Sequence, residues 1–397
     1  MDRKNRRHSY AALCAGIFLI KFGFGIGVAF INVWMKYRSV TLVEIGVIGT
    51  ATNIVGTCFV LFWGWFCNHF GGTSVVVTTG LLIGGILYPA YIVSNSFVSF
   101  LTLGALNGVA RAMFNESAPL LALVTTIIGS HRMGSRYSRY RMWGTAGYVV
   151  STVLAGILAA NYGIPSALAI GSAAYLVGAA AVAGFVEDTH VKQRFTESQS
   201  KKQDSKVRLQ DLLQRNLLVF TVTSTLNGLI QGAYGLFPLN LNRLGASEAL
   251  IGISVAAGAA AEIPVMAYVG GLSDRIGRKA VLTFSYLVPT ATLSLIGLLS
   301  NPYLSVMAFT LKGVSGGIDF SMSAIYLAEE VPPERRPLVY GLVNSLKSIG
   351  SIVGPYAVAM LADRYGMASM FLTVAAYNLI PASLFAFGTK ARKPLPK

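Results

Sequence analysis

Charged residues are scarce in this chain of 397 residues, of which 12% are charged and 54% are hydrophobic. Soluble domains contain about 25% charged residues. A soluble chain of this length could not bury so many apolar side chains, so the composition excludes an ordinary soluble protein. It favours a protein whose surroundings are lipid.

Cysteine and histidine are also rare, and their positions exclude several kinds of site. The three cysteines lie in or at the end of apolar runs without the spacing of metal ligands, so we expect neither a disulfide framework nor a metal site. The four histidines fall outside the apolar interiors, and the sequence contains no Walker motif. These features count against an integral membrane enzyme and an ATP-driven pump, and we expect no cofactor.

Long apolar runs fill most of the sequence, and a membrane-spanning helix needs about 20 such residues. Helices are required because lipid cannot satisfy free backbone groups, and the runs are too continuous for the strands of a β-barrel. The sequence therefore predicts an all-α integral membrane protein with twelve transmembrane helices, over residues 10–34, 43–66, 73–94, 97–127, 142–161, 165–186, 216–239, 248–271, 279–300, 303–328, 336–361 and 366–387.

The basic residues give the chain a net charge of +16, and they cluster in short segments between the apolar runs. This distribution is not that of a nucleic-acid-binding protein, so we expect no nucleic acid partner. Because lysine and arginine concentrate in cytoplasmic loops, it predicts that both termini are cytoplasmic. No signal-peptide cleavage pattern precedes the first run. We expect a multi-pass monomer in the lipid bilayer of the plasma (inner) membrane.

A polar stretch between the sixth and seventh predicted spans divides the sequence into two parts. This stretch includes the segment Thr196–Ser205, which has almost no apolar residues. It predicts an N-terminal six-helix half (1–186), a cytoplasmic linker (187–215) and a C-terminal six-helix half (216–397).

The two halves repeat one another in sequence. Three segments of the first half match three of the second, in the same order and at offsets of 203 to 206 residues: Ile45–Ala51 with Ile251–Ala257, Leu106–Ala110 with Leu311–Ser315, and Leu158–Gly163 with Leu361–Gly366. Six helices per repeat give both halves the same orientation in the membrane. Such an arrangement predicts a solute site between the halves, near the middle of the membrane.

The segment Gly270–Lys279 reads Gly-Gly-Leu-Ser-Asp-Arg-Ile-Gly-Arg-Lys and joins the eighth and ninth predicted spans. It resembles the cytoplasmic signature of the major facilitator superfamily, whose other copy is degraded here to Gly64–Gly72. Val331–Arg336 is also similar to that family's entry into helix eleven. The resemblance implies a transporter that works by alternating access. It implies a gating motif in which the two glycines allow a tight turn, formed by Gly270, Asp274, Arg275, Gly277, Arg278 and Lys279.

The start of the fifth predicted span is similar to the same region of lactose permease and related sugar or nucleoside proton symporters of that superfamily. The similarity covers Arg141-Met-Trp-Gly-Thr-Ala-Gly-Tyr148. It implies that Arg141 and Tyr148 contact the substrate. The rest of that permease's site is not matched, because no histidine lies in any predicted span.

Polar residues line single faces of several predicted spans, since residues four, seven and eleven apart share a helix face. Charged groups inside a membrane are costly and are functional candidates. The first and seventh spans carry polar groups on equivalent faces, and the fourth and tenth carry basic residues. Together with Arg141 and Tyr148, these candidates for substrate binding are Lys21, Asn32, Arg111, Asn115, Asn227, Gln231, Tyr234, Lys312 and Lys347.

Proton coupling needs an acid that can be charged or neutral inside the membrane. Asp319, Glu262 and Glu116 are the candidates. Asp319 is seven residues from Lys312, about 10 Å along a helix, so each needs a different partner. The acids Glu329 and Glu330 are interpreted as a solvated helix end.

Four basic residues inside the spans outnumber the three acids, which favours a substrate with anionic or polar groups. The sequence therefore predicts a secondary active transporter of a small polar or anionic organic solute, coupled to protons. A facilitative uniporter or a drug efflux antiporter is the alternative. An integral membrane enzyme and a transporter-like receptor are further alternatives.

Overall fold

The computed structural model describes residues 3–70, 72–115, 133–185, 214–331 and 336–390, and within these ranges every regular element is a helix. The helices are α1 (Arg3–Tyr37), α2 (Leu42–Phe70), α3 (Thr73–Val93), α4 (Phe97–Phe114), α5 (Met133–Tyr162), α6 (Ile164–Phe185), α7 (Arg215–Gly228), α8 (Ile230–Arg243), α9 (Glu248–Ile276), α10 (Arg278–Leu298), α11 (Pro302–Glu330), α12 (Arg336–Tyr365) and α13 (Met367–Gly388).

These helices correspond to the twelve predicted spans, which confirms the predicted fold class. Within the described residues, ten helices are long and apolar enough to cross a membrane on their own. The other two predicted spans are the α7–α8 pair and α11, which carries Lys312 and Asp319 inside it. Both of these spans carry predicted substrate-binding or proton-coupling residues.

The seventh predicted span consists of two helices of 14 residues that meet at Leu229. The amide of Leu229 donates to the carbonyl of Leu226, and the amide of Gly232 donates to the carbonyl of Leu229. These bonds join residues three apart, as in a 3₁₀ turn, which tightens the helix locally. The backbone of Leu229 itself remains helical, with φ −62° and ψ −33°, so the predicted span over 216–239 is one segment with a local tightening.

The fourth helix is shorter than predicted. It ends at Phe114, where Asn115 adopts an extended backbone, whereas the predicted span continued to residue 127. The candidate Glu116 lies outside the described residues. Asn115 is therefore at the end of α4 rather than in its middle.

The chain forms two compact units. The N-terminal unit comprises residues 1–40, 51–204 and 247–256, and the C-terminal unit comprises residues 41–50, 205–246 and 257–397. In the N-terminal unit α1 packs against α5 and α6, and α3 packs against α4 and α6. In the C-terminal unit α7 and α8 pack against α12 and α13, and α10 packs against α11 and α13. The same packing order in both units is what a sequence repeat produces.

Glycine allows an equivalent close helix crossing in each unit. A Cβ atom on Gly108 of α4 would lie 3.0 Å from the backbone nitrogen of Gly56 in α2. A Cβ atom on Gly313 of α11 would lie 2.6 Å from the Cβ of Ala261 in α9. Small residues at such crossings let membrane helices pack tightly. These two crossings hold the helices that carry Arg111 and Lys312.

Candidate functional site

The N-terminal unit brings two cations onto one aromatic ring. Lys21 Nζ lies 5.2 Å from the centroid of the Phe24 ring, and Arg111 Cζ lies 4.9 Å from the same centroid. Phe24 is three residues after Lys21 on α1, so their side chains share a face of the helix. Each cation is therefore within cation–π distance of the ring.

Asn115 and Tyr148 complete this group. Lys21 Nζ donates a hydrogen bond of 2.9 Å to Asn115 Oδ1 at the end of α4. The Tyr148 ring of α5 lies 6.1 Å from the Phe24 ring. We call Lys21, Phe24, Arg111, Asn115 and Tyr148 the N-terminal cluster. Four of its five members are predicted substrate-binding residues, and all five are partly buried.

Arg111 is the most unusual member of the N-terminal cluster. Its Nε is buried and has no hydrogen-bond partner within the described residues. It also forms no ion pair with any acid in the described part of the chain. A guanidinium carries five donors and normally meets a carboxylate or phosphate when it is desolvated.

Two predicted substrate residues of this unit, Asn32 and Arg141, are not members of the N-terminal cluster. Asn32 is eleven residues from Lys21, which is about 16 Å along α1. Arg141 is seven residues from Tyr148, about 10 Å along α5, and is partly buried. The structure thus brings together Lys21, Arg111, Asn115 and Tyr148. Arg141 lies three residues before Gly144, where a Cβ atom would be 3.2 Å from Lys21 Cγ.

The C-terminal unit contains an ion pair between two predicted residues. Lys347 Nζ of α12 lies 2.6 Å from Asp319 Oδ2 of α11. The Ser323 hydroxyl donates to the other oxygen, Asp319 Oδ1, at 2.9 Å. Both charged side chains are about one-quarter to one-third exposed. Asp319 therefore pairs with Lys347 rather than with Lys312.

Lys312 of α11 lies near aromatic rings from two helices, Tyr234 of α8 and Phe309 of α11. Its Nζ is 5.6 Å from the Tyr234 ring and 5.5 Å from the Phe309 ring. The negative charge of Glu262 on α9 favours the charged form of Lys312. The Glu262 carboxylate packs against α11, since a Cβ atom on Gly316 would lie 2.8 Å from Glu262 Oε1. Glu262 and Lys312 are thus opposite charges in the same region, whereas Asp319 and Lys347 are in direct contact.

Asn227 and Gln231, the two remaining polar candidates, lie on either side of the tightened turn at Leu229. The Asn227 side chain is partly buried, and its Oδ1 has no hydrogen-bond partner among the residues described. Gln231 is exposed, whereas Tyr234 is buried. These three residues, predicted to share one helix face, therefore differ in their exposure.

The predicted gating motif forms an ion network at the turn between α9 and α10. Arg278 Nη2 lies 2.6 Å from Asp274 Oδ1, and Arg278 Nε lies 3.1 Å from Glu329 Oε1 at the end of α11. Arg278 Nη1 also donates to the Ser273 hydroxyl. Lys279 Nζ donates to the carbonyl of Thr389 at 2.7 Å. The motif therefore joins α9, α10, α11 and the end of α13.

Of Gly270 and Gly277, only Gly277 makes the turn. Gly277 has a φ of +92°, which glycine adopts without strain. Gly270 lies inside α9, seven residues earlier, and a Cβ atom there would meet open space. The implied role of Gly270 in a tight turn is therefore wrong. Asp274 and Arg275 are both exposed, and Asp274 forms an ion pair with Arg278.

The acid pair at the end of α11 is not simply solvated, as the sequence suggested. Glu329 binds Arg278, and Glu330 Oε1 accepts a 3.2 Å hydrogen bond from Asn216 Nδ2. Asn216 Oδ1 in turn accepts from the amide of Lys390 at 2.9 Å. Sequence reasoning missed both roles because the partners are distant along the chain.

The chain is similar in sequence to a known family of membrane transporters and to individual transporters. The family model described as "MFS_1 like family" matches residues 10–377. The cis,cis-muconate transport protein of Acinetobacter baylyi is 25% identical over 367 residues, covering 87% of this chain and 86% of that protein. The multidrug resistance protein MdtG of Citrobacter koseri is 33% identical over 129 residues, about a third of either protein.

Solved structures show the same fold. A mutant of the nucleoside transporter NupG superposes with a TM-score of 0.83 at 15% identity, covering 96% of this chain and all of that one. A bacterial homologue of the lysosomal transporter Spinster gives 0.75 at 11% identity and covers 98% of both chains. This superfamily transports solutes and is not enzymatic, so the membrane enzyme alternative is excluded. The chain therefore belongs to the MFS_1 like family and is a multi-pass membrane transporter of the major facilitator superfamily.

Proposed function

We propose that this protein transports a small organic anion with a carboxylate group by alternating access, and that transport is coupled to protons. The observation that carries the proposal is Arg111, a membrane-embedded guanidinium with no acid partner in the described residues. The transporter would consist of the six-helix halves 1–186 and 216–397, joined by a cytoplasmic linker over 187–215.

An uncompensated charge inside a membrane is unfavourable, which makes Arg111 a strong site for an anion. A charged residue at the centre of a membrane helix costs at least about 2.5–3.5 kcal/mol on insertion scales. A carboxylate would compensate that charge and accept paired hydrogen bonds from the guanidinium. Lys21, which lies over the same ring as Arg111, would supply a second donor.

The rings of the N-terminal cluster suit the organic part of such a substrate. Ligand sites combine apolar walls with a few polar groups that fix orientation. Phe24 and Tyr148 would form a wall, with their rings 6.1 Å apart, and Asn115 would add a hydrogen-bonding amide. A relative similar over most of its length transports cis,cis-muconate, a carboxylate, which supports this substrate class.

The acids of the C-terminal unit suit proton coupling. Asp319 is paired with Lys347, and Glu262 acts on Lys312, so each acid balances a lysine while it is ionised. Protonation of either acid would leave its lysine unbalanced and would favour a different arrangement of α11 and α12. Asp319 is the first candidate for the proton carrier because its ion pair joins these two helices directly.

Membrane placement belongs to the same proposal. The positive loops support cytoplasmic termini, and we place the protein as a monomer in the plasma membrane. The gating motif would then lie at the cytoplasmic ends of α9, α10 and α11.

Proton flux in liposomes tests the proposal. Purified protein would be reconstituted with an internal pH dye and offered separate pools of organic anions, sugars, nucleosides, amino acids and lipophilic cations. We expect the internal pH to change with the organic anion pool alone. Anion entry without a pH change would indicate a facilitative uniporter and would contradict proton coupling. Uptake restricted to lipophilic cations would instead favour drug efflux and overturn the proposal.

A further inference from the structure

An apolar groove runs along the surface of the C-terminal unit. It has a volume of about 560 Å³ and lies between α9, α10 and α11. All ten lining residues have aliphatic or aromatic side chains, among them Pro264, Tyr268, Leu272, Phe284, Val314 and Ile318. The groove therefore offers almost no hydrogen bonds to a ligand.

The shape of the groove suits a single hydrocarbon chain. Pro264 lies inside α9, where proline removes a backbone hydrogen bond and bends a helix. The lining residues of α9 extend from Pro264 to Ile276, which is about 18 Å along a helix. One leaflet supplies half of the roughly 30 Å hydrocarbon core, so the groove is about as long as one leaflet is thick.

The groove is open on the side that faces away from the unit. Tyr268 is 79% exposed and Phe284 is 55% exposed. The back wall is formed by Val314 and Ile318 of α11, which are partly or fully buried. An occupant could therefore enter sideways from the bilayer.

A free positive charge lies at one end of the groove. Arg275 is exposed, directly precedes the lining residue Ile276, and is one turn beyond Leu272. It forms no ion pair within the described residues, whereas its neighbour Arg278 is paired with Asp274 and Glu329. Basic residues near a membrane surface attract anionic lipid head groups.

We propose that this groove is a binding site for an anionic phospholipid, with one acyl chain against Leu272 and Val314 and the phosphate on Arg275. The bound lipid contacts α11 through the groove residues Val314 and Ile318. Val314 is two residues from Lys312, and Ile318 is adjacent to Asp319. The acyl chain therefore packs against the same stretch of helix that carries the two charged side chains of the C-terminal unit.

Lipid retention tests this site without reference to transport. Wild-type protein would be reconstituted in vesicles of equal parts phosphatidylglycerol and phosphatidylcholine, extracted in mild detergent, and examined by native mass spectrometry. The variants are Arg275→Gln, which removes the phosphate partner, and Leu272→Trp, which fills the groove at a position that is 49% exposed. The matched controls are Arg364→Gln and Leu298→Trp, which lie outside the groove and change exposed residues in the same way.

We expect Arg275→Gln to reduce the retained phosphatidylglycerol about fivefold relative to phosphatidylcholine, the effect of one basic residue at a membrane surface. Leu272→Trp should reduce retention of both lipids, and both controls should match the wild type. Unchanged retention in the two groove variants would overturn the proposal. Loss in Leu272→Trp with no effect of Arg275→Gln would also overturn it, because the occupant would then be an apolar molecule without an anionic group. Thermal unfolding of each variant separates lipid loss from misfolding.

Discussion

Lys347 and Asp319 form an ion pair of 2.6 Å that links α12 to α11 in the C-terminal unit. Both residues lie in helices that cross the membrane, where an isolated charge is costly. The pair neutralises itself as long as Asp319 is ionised. A change in the protonation of Asp319 therefore changes the net charge of the contact between these two helices.

Replacement of Asp319 should uncouple transport from protons. Asp319→Asn keeps the shape of the side chain but cannot exchange a proton, so we expect loss of uphill accumulation while exchange of bound solute continues. Both can be measured in liposomes, by accumulation under a pH gradient and by counterflow. Asp363→Asn, at an exposed acid near the end of α12, is the control. Accumulation at the wild-type level in Asp319→Asn would exclude Asp319 as the proton carrier.

The same ion pair should show coupling in stability. Lys347→Gln leaves Asp319 without its partner, so it should lower the free energy of unfolding by more than the double variant Lys347→Gln with Asp319→Asn. Interacting pairs typically differ from additivity by about 0.5–3 kcal/mol. Thermal unfolding in detergent of the two single variants and the double variant measures the difference. Strict additivity would show that the contact contributes nothing to folding.

The ion network at the α9–α10 turn should depend more on Glu329 than on Asp274. The Glu329 side chain is 32% exposed and that of Asp274 is 64% exposed, so water screens the latter more. Glu329→Gln should destabilise the protein by about 1 kcal/mol and Asp274→Asn by less than about 0.5 kcal/mol. Unfolding in detergent compares them. The reverse order would mean that Arg278 relies on Asp274.

Substitution by alanine should have opposite effects on stability at Gly313 and Gly270, a difference that the sequence does not predict. Gly313→Ala places a methyl group against Ala261 at the crossing of α9 and α11, so it should lower the unfolding temperature and the yield of folded protein. Gly270→Ala adds a methyl group in open space inside α9 and should be neutral or stabilising by up to about 1 kcal/mol. Equal loss in both variants would restore a special role for Gly270.

Much of the fold could be predicted because membrane helices are encoded in local composition. Apolar runs predict the spans, and the repeat predicts the shared packing order of the two units. The tightened turn at Leu229 was not predicted, because the three-residue hydrogen bonds around it leave no distinct pattern in the sequence. The end of α4 at Phe114 was missed because the apolar run resumes at Leu120, so the polar segment Asn115–Ser117 and Pro119 was read as part of one span.

The candidate site was partly predictable for the same reason. Helical periodicity placed Lys21, Arg111 and Asn115 on candidate faces, and the structure brings them together. Phe24 and Phe309 were missed because an aromatic residue in an apolar run resembles any other lipid-facing or core residue. Their signal is the position three residues from a lysine, Lys21 and Lys312 respectively. The partner of Glu329 was missed because Arg278 is 51 residues away.

The most direct test of the central claim is binding of labelled cis,cis-muconate to purified protein with Arg111 altered. Equilibrium binding would be measured for the wild type, Arg111→Lys, Arg111→Gln and the control Arg364→Gln. Hydrogen bonds to charged groups contribute about 1.5–3 kcal/mol, so Arg111→Gln should weaken binding roughly 10- to 100-fold, Arg111→Lys less, and the control not at all. Wild-type affinity in a folded Arg111→Gln variant would contradict the assignment of Arg111 as the anion-binding residue.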